Sequence, residues 1–146
     1  MKKQHWFLLA LLVCVLVGGI QSIVLAAGSA SMTVTNQTTV YPKHITFEWV
    51  CEEDGEVSGD ESAVISGIPI AFVTYPSATA PTANYDLTLV DENGNDILCG
   101  TGANRASAAD ELVVGDSLAP FSNTTLELKA LNAGSYKGGT AILYYR

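Results

Sequence analysis

The residue types that most often carry catalysis are scarce in this chain, and histidine is the clearest case. The 146 residues include two histidines, His5 and His44. His44 stands on the polar side of an alternating run, and one imidazole cannot supply a multi-histidine metal site or a nucleophile-activating triad. Carboxylates are plentiful, 15 in all. None is embedded in an apolar run that would raise its pKa for general acid work, so a solvated acidic face accounts for them. We assign no catalytic residue, no cofactor and no enzymatic activity.

Clustered oxygens could instead hold a hard cation, because calcium binds carboxylate-rich loops of extracellular proteins. Asp91, Asn93 and Asp96 are weak calcium candidates, and Glu52 to Glu61 places six acids in a short stretch. The first group lacks the spacing and the closing bidentate glutamate of an EF-hand, so turn chemistry explains it without metal. No metal site is assigned. The Gly-rich loop Gly100 to Arg105 has no Lys-Ser/Thr ending and is no phosphate cradle. Its Asn104 and Arg105, with Tyr75 and Tyr136, are the binding candidates on loops, Arg105 being better suited to tying its own loop down through backbone carbonyls or an acid. Tyr41 is a further exposed-aromatic candidate. Asn36-Gln37-Thr38 and Asn123-Thr124-Thr125 fit the N-glycosylation pattern.

The elements that must position these residues are strands. Apolar residues recur with period two, and turn residues fall every eight to twelve positions. His44 to Cys51 puts Ile45, Phe47, Trp49 and Cys51 on one face and His44, Thr46 and Glu48 on the other. Tyr85 to Val90 repeats the device with Tyr85, Leu87 and Leu89 inward. Further runs are Met32 to Val40, Ala63 to Tyr75, Asp96 to Cys99, Glu111 to Val114, Thr124 to Leu131 and Thr140 to Tyr145. Asn93-Gly94 supplies the positive φ angles of a tight hairpin. Pro76 to Pro81 reads as an extended loop and Gly100 to Asp110 as another, with a helical turn at Ala106 to Asp110. Seven or eight short strands predict a single-domain antiparallel β-sandwich, Ig-like or jelly-roll-like, with a barrel as the alternative.

Ahead of this domain, residues 1–27 have the order of a secretory signal peptide: Lys2 and Lys3, an apolar helix, then small residues up to Ala26. The apolar stretch Trp6 to Ala27 is also long enough for an uncleaved signal anchor. Cleavage leaves 28–146 as one domain, secreted or otherwise extracytoplasmic at the cell surface or in the periplasm. It removes two of the seven bases, so the domain carries a formal charge of −10. So acidic a surface excludes nucleic acid as a partner, and a membrane is reached only through the N-terminal segment if it is retained. One cysteine, Cys14, leaves too. Cys51 and Cys99 then favour one disulfide in an oxidising compartment, closing a loop of about 48 residues worth about 4 kcal/mol, with two separate thiols as the alternative.

The run PTANYDLTLVDENGNDILCGTGANR, Pro81 to Arg105, resembles the pattern P-T-x-N-Y-D-[IL]-x-[LV]-x-D-x-x-G-x-D-[IV]-L-x-G-x-G-x-N-R. That pattern belongs to small, mostly uncharacterised β-rich proteins of bacteriophage and prophage structural regions. The similarity extends loosely to Ile45 to Trp49 and to Gly139 to Arg146. It implies a structural or binding module, such as a capsid-surface or tail-associated virion protein, and brings no catalytic residue with it. The secretory leader and the two cysteines are additions to that pattern. The expectation is therefore a non-catalytic, surface-exposed structural or interaction protein, with self-assembly into a homo-oligomer suggested by Ala141 to Tyr145, apolar on both faces. A virion-associated role and a glycan or cell-surface binding module are the alternatives.

Overall fold

Strict alternation of apolar and polar side chains produces strands with one buried face, and His44 to Cys51 shows the result directly. In the computed structural model, which describes residues 30–146, Ile45, Phe47, Trp49 and Cys51 are buried. The intervening His44 and Thr46 are half-buried and Glu48 is exposed, on the opposite side of the same strand. The fold is all-β with antiparallel sheets. Its strands are β1 (Ser31–Gln37), β2 (Lys43–Val50), β3 (Val57–Glu61), β4 (Ile65–Gly67) and β5 (Pro69–Pro76). The remainder are β6 (Asp86–Asp91), β7 (Glu111–Val114), β8 (Phe121–Thr124), β9 (Leu126–Leu131) and β10 (Gly138–Tyr145). The described residues contain no α-helix, only a single 3₁₀ turn at Gly115–Ser117.

Five strands form one sheet in the order β1-β2-β10-β5-β7, three form a second in the order β3-β9-β6, and β4 pairs with β8. Both larger sheets turn their apolar faces into one shared core. Phe47, Phe72 and Leu143 come from the five-stranded sheet, and Leu87, Leu89, Leu126 and Leu128 from the three-stranded one. Trp49 meets Tyr85 in the core with ring centroids 5.7 Å apart, an aromatic contact in the favourable tilted range. Phe121 packs edge-on against Tyr145 at 5.5 Å. Burying even one such side chain contributes about 1.5–3 kcal/mol, so the alternating strands supply most of the stabilisation.

Beyond β6, the irregular segment Asp96 to Arg105 runs along the free edge of the smaller sheet. It bonds to β6 at Ile97 N to Leu89 O (2.7 Å), and β6 bonds back at Leu87 N to Gly102 O (2.9 Å). Gly102 is required there, because a Cβ would lie 2.0 Å from the Leu87 carbonyl oxygen.

Several expectations from the sequence are corrected. Asp96 to Cys99 is no strand: one bridge, Val90 to Asp96, precedes a succession of turns in which Asp96 accepts hydrogen bonds from several backbone amides. Ala63 to Tyr75 is broken into β4 and β5 around Ile68, whose amide bonds the carbonyl of Arg146 instead of a sheet neighbour. Thr124 to Leu131 is interrupted at Thr125, and the acidic stretch Val57–Glu61 is a strand rather than a loop. Ala106 to Asp110 forms no helical turn. The expected disulfide is not formed: Cys51 is a buried free thiol and Cys99 an exposed one. The topology separates them. Cys51 leads toward β3 at one edge of the smaller sheet, and Cys99 sits beyond β6 at the other, held at φ 50° in a turn closed by Cys99 N to Asp96 O (3.2 Å). The leader 1–27 lies outside the described residues.

Candidate functional site

Connections from β2 to β3, from β5 to β6 and from β9 to β10, together with the Asn104–Arg105 part of the one from β6 to β7, bring four loops to one end of the molecule. There the hairpin Glu52 to Glu56 presses on the loop Asn132 to Lys137. Gly55 (φ +84°) and Gly134 (φ +88°) meet so closely that a Cβ on Gly55 would lie 2.8 Å from the Gly134 nitrogen. The contact is secured by Ala133 N to Gly55 O (3.0 Å), Ser135 Oγ to Glu53 O (2.7 Å) and Tyr136 N to Glu52 O (3.2 Å). Thr82 joins from the third loop, its hydroxyl donating to Asn132 O at 2.6 Å.

Asp86, the first residue of β6, links two of these loops. One carboxylate oxygen accepts from Asn104 N (2.9 Å) and the other from Asn132 Nδ2 (3.2 Å). Asp86 is not among the candidate residues read from the sequence. A carboxylate opening a strand beside loops rich in asparagine is the signal that could have found it, since such a group readily accepts loop amides.

Arg105 is buried, at 5% exposure. Its backbone pairs with that of Tyr85, with Arg105 N to Tyr85 O at 2.7 Å. Nη1 donates to Thr101 O and Nη2 to Thr74 Oγ1, both at 3.2 Å. Nε lies 3.2 Å from Glu111 Oε2, an ionic contact without aligned hydrogen-bond geometry. The same carboxylate oxygen accepts from Ala106 N. Burial pushes the Tyr85 hydroxyl above its ordinary pKa, while its hydrogen bond to Thr74 and the nearby Arg105 charge work against that shift. Arg105 is thus an internal clasp that ties the Gly-rich loop to β5 and β7, the structural of its two expected roles. A threonine on the core face of β5, at Thr74, was the legible sign of a buried polar partner.

The structure places Tyr75, Tyr136, Asn104 and Arg105 at this same end. Tyr75 is exposed and Tyr136 half-buried. Tyr136 adopts φ 54°, unfavourable for a bulky side chain, a conformation that costs on the order of 1–3 kcal/mol and is sustained by the bonds around it. Tyr41 is exposed but precedes β2, at the opposite end. A hollow of about 390 Å³ beside the hairpin is lined by Glu52, Asp54, Glu56 and Lys129 among others.

The calcium candidates also lie at the far end, where turn geometry uses their oxygens. Asp91 Oδ1 accepts from Asn93 N (2.9 Å) and Asn95 N (2.8 Å), and Oδ2 from Asn95 Nδ2 (2.9 Å). These donors, Asn95 foremost, hold the exposed Asp91 carboxyl below its ordinary pKa. Asp96 accepts from Leu89 N, Leu98 N and Gly100 N. Because Asp91 captures the backbone in this way, only Gly94 takes a positive φ (81°), not Asn93. Among the described residues no group of three or more histidine, cysteine, aspartate or glutamate side chains is arranged to hold a metal ion.

His44 faces outward, its ring 5.6 Å from that of Tyr144. Of the two glycosylation triplets, Asn123 is exposed, whereas Asn36 is half-buried with its side-chain oxygen accepting from Ala63 N at 3.3 Å. Among the described residues no helix is long and apolar enough to cross a membrane.

No protein-family model and no curated protein matches the chain.

Proposed function

We propose that the chain is a non-catalytic, extracytoplasmic structural or interaction protein that works by self-association. Its sheets make a two-layer β-sandwich of Ig-like or jelly-roll-like kind, a reading supported by the single core to which both larger sheets contribute. The observation that carries the function is the outward face of β10. Ile142 and Tyr144 stand there half-buried, next to Val73 and Ala71 of β5. An outer sheet face in water is ordinarily polar, and apolar side chains gathered on it are suited to contact with another protein surface.

The leader supports secretion or display at the cell surface or in the periplasm, with membrane attachment only through residues 1–27 if they are retained. The resemblance to phage structural-region proteins supports a virion-associated role as a variant of the same contact-based function. A glycan or cell-surface binding module is the second reading, favoured by one observation: Tyr75 and the strained Tyr136 share the loop end.

Light scattering on the exported protein, across a dilution series, tests the proposal. A particle mass that rises above one chain with concentration supports self-association, and one chain at every concentration refutes it. Retention of specific sugars on a glycan array, abolished by Tyr136→Ala, would establish the second reading instead.

A further inference from the structure

We infer that the β7 edge of the five-stranded sheet, with the apolar face beside it, is the docking surface for a second copy of this chain. The inference rests on the self-association proposed above and names its site. β7 is the outermost strand, paired only with β5. Leu112 and Val114 point outward at 63% and 57% exposure. The register sets Leu112 beside Val73 and Val114 beside Ala71, and these in turn lie beside Ile142 and Tyr144 of β10. The apolar face therefore runs without interruption from the middle of the sheet to its free edge.

Three features select a second copy as the occupant. The first is charge. In a domain of formal charge −10, like copies repel, and they can meet only where free charge is least. The lone charge on β7, Glu111, is already neutralised by Arg105, whereas β3, the open edge of the smaller sheet, carries Asp60 and Glu61, and its other edge, β6, is covered by the segment Asp96 to Arg105. The second is self-complementarity. An antiparallel pair of β7 strands with its two-fold axis at Val113 sets Leu112 of each copy opposite Val114 of the other on the same face, which unites the two apolar faces and supplies the missing edge hydrogen bonds. β1, the other edge of this sheet, offers serine, threonine, asparagine and glutamine along most of its length. The third is size. Only Leu112 and Val114 of these apolar side chains are more than half exposed, an area short of the ~800 Å² per partner of a tight complex, so the dimer is weak and concentration-dependent.

The two-fold arrangement also brings Asp110 of one copy toward Asp116 of the other, so added salt strengthens the association by screening them. Sedimentation velocity on the exported protein, with its mass verified, tests the inference in wild type, Leu112→Lys/Val114→Lys and Thr33→Lys. The expected result is a wild-type dimer that grows with concentration and with salt, is lost in the β7 double variant and is kept in the β1 variant. Both β7 positions are more than half exposed, and circular dichroism establishes that the variant is folded. A repeat with Leu112→Ser/Val114→Ser, expected to weaken the dimer as well, covers a lysine variant that does not fold. Dimers that persist in folded β7 variants overturn the docking surface and leave self-association standing. A wild-type monomer throughout overturns both.

Discussion

Replacing Arg105 by methionine removes a buried cation while keeping most of its volume, and the clasp it forms sets the cost. The substitution deletes the ionic contact with Glu111 at 3.2 Å and the hydrogen bonds to Thr101 O and Thr74 Oγ1. Removing one partner of a buried pair costs roughly 3–5 kcal/mol. The Glu111 side chain is 31% exposed, so water solvates the abandoned carboxylate in part and the lower end applies, about 3 kcal/mol. Glu111→Gln leaves the guanidinium buried without its counter-charge, for about 2–3 kcal/mol, since a charged buried group without its partner bears the full desolvation penalty. The two changes together cost less than their sum by at least about 1 kcal/mol, because each removes what the other has lost. The pair Lys129–Glu127, at 3.3 Å, is the control, because its cation is 40% exposed where Arg105 is buried: Lys129→Met should cost no more than about 1 kcal/mol. Urea unfolding followed by the fluorescence of buried Trp49 reads all four variants. A loss below about 1 kcal/mol for Arg105→Met, or a strictly additive cycle, would refute the clasp and return Arg105 to the list of binding residues.

Thiol chemistry separates the two cysteines of the folded domain: a disulfide-exchange reagent should modify Cys99 quickly in the native exported protein and reach Cys51 only on unfolding. Burial first, then Asp54 and Glu56, raise the Cys51 thiol from 9.0 to about 11. The unfolded chain therefore loses that proton at lower pH than the folded one, and the resulting loss of stability begins near pH 9 and grows until about 11; Cys51→Ala should flatten that part of the stability profile. Asp91→Ala should loosen the Asp91 to Asn95 turn, seen as faster amide exchange at Asn93 and Asn95, while millimolar calcium leaves the melting temperature of the wild type unchanged; a clear rise would restore the metal reading. Because the folded-state pKa of Asp91 is depressed, its contribution is present above 3.8 and is lost as pH falls through the lower folded value. Gly55→Ala should destabilise by more than about 1 kcal/mol, measured by thermal unfolding, since a β-carbon there meets both a positive φ and the Gly134 backbone.

Where one physical signal acts alone, the sequence is a good guide. The alternation in Ile45 to Cys51 and in Tyr85 to Leu89 placed each of those side chains on its correct face, because a half-buried strand leaves period two as its only solution. Where signals compete, tertiary contacts decide. Acidic Val57–Glu61 looks like a loop by composition, yet β9 supplies a pairing partner and makes it a strand. Ile97 and Leu98 look like a returning strand, yet the Asp96 carboxylate captures the following amides and winds the chain into turns. The cysteine pair was a statement about compartment and parity, and neither carries distance. Asn104 and Arg105 were legible as residues of interest, but their division of labour depends on Asp86, 18 residues from Asn104, and on Thr74, 31 residues from Arg105, which only the fold brings near.

Whether the molecule works by associating with itself through β7 is read most directly by hydrogen–deuterium exchange on the exported wild-type protein at low and high concentration. The backbone of an unpaired edge exchanges freely, and pairing protects it. The expected result is slower exchange across Glu111 to Val114 at high concentration, with Ser31 to Gln37 unchanged. Identical exchange of β7 at both concentrations, across a range that spans the micromolar, would contradict it.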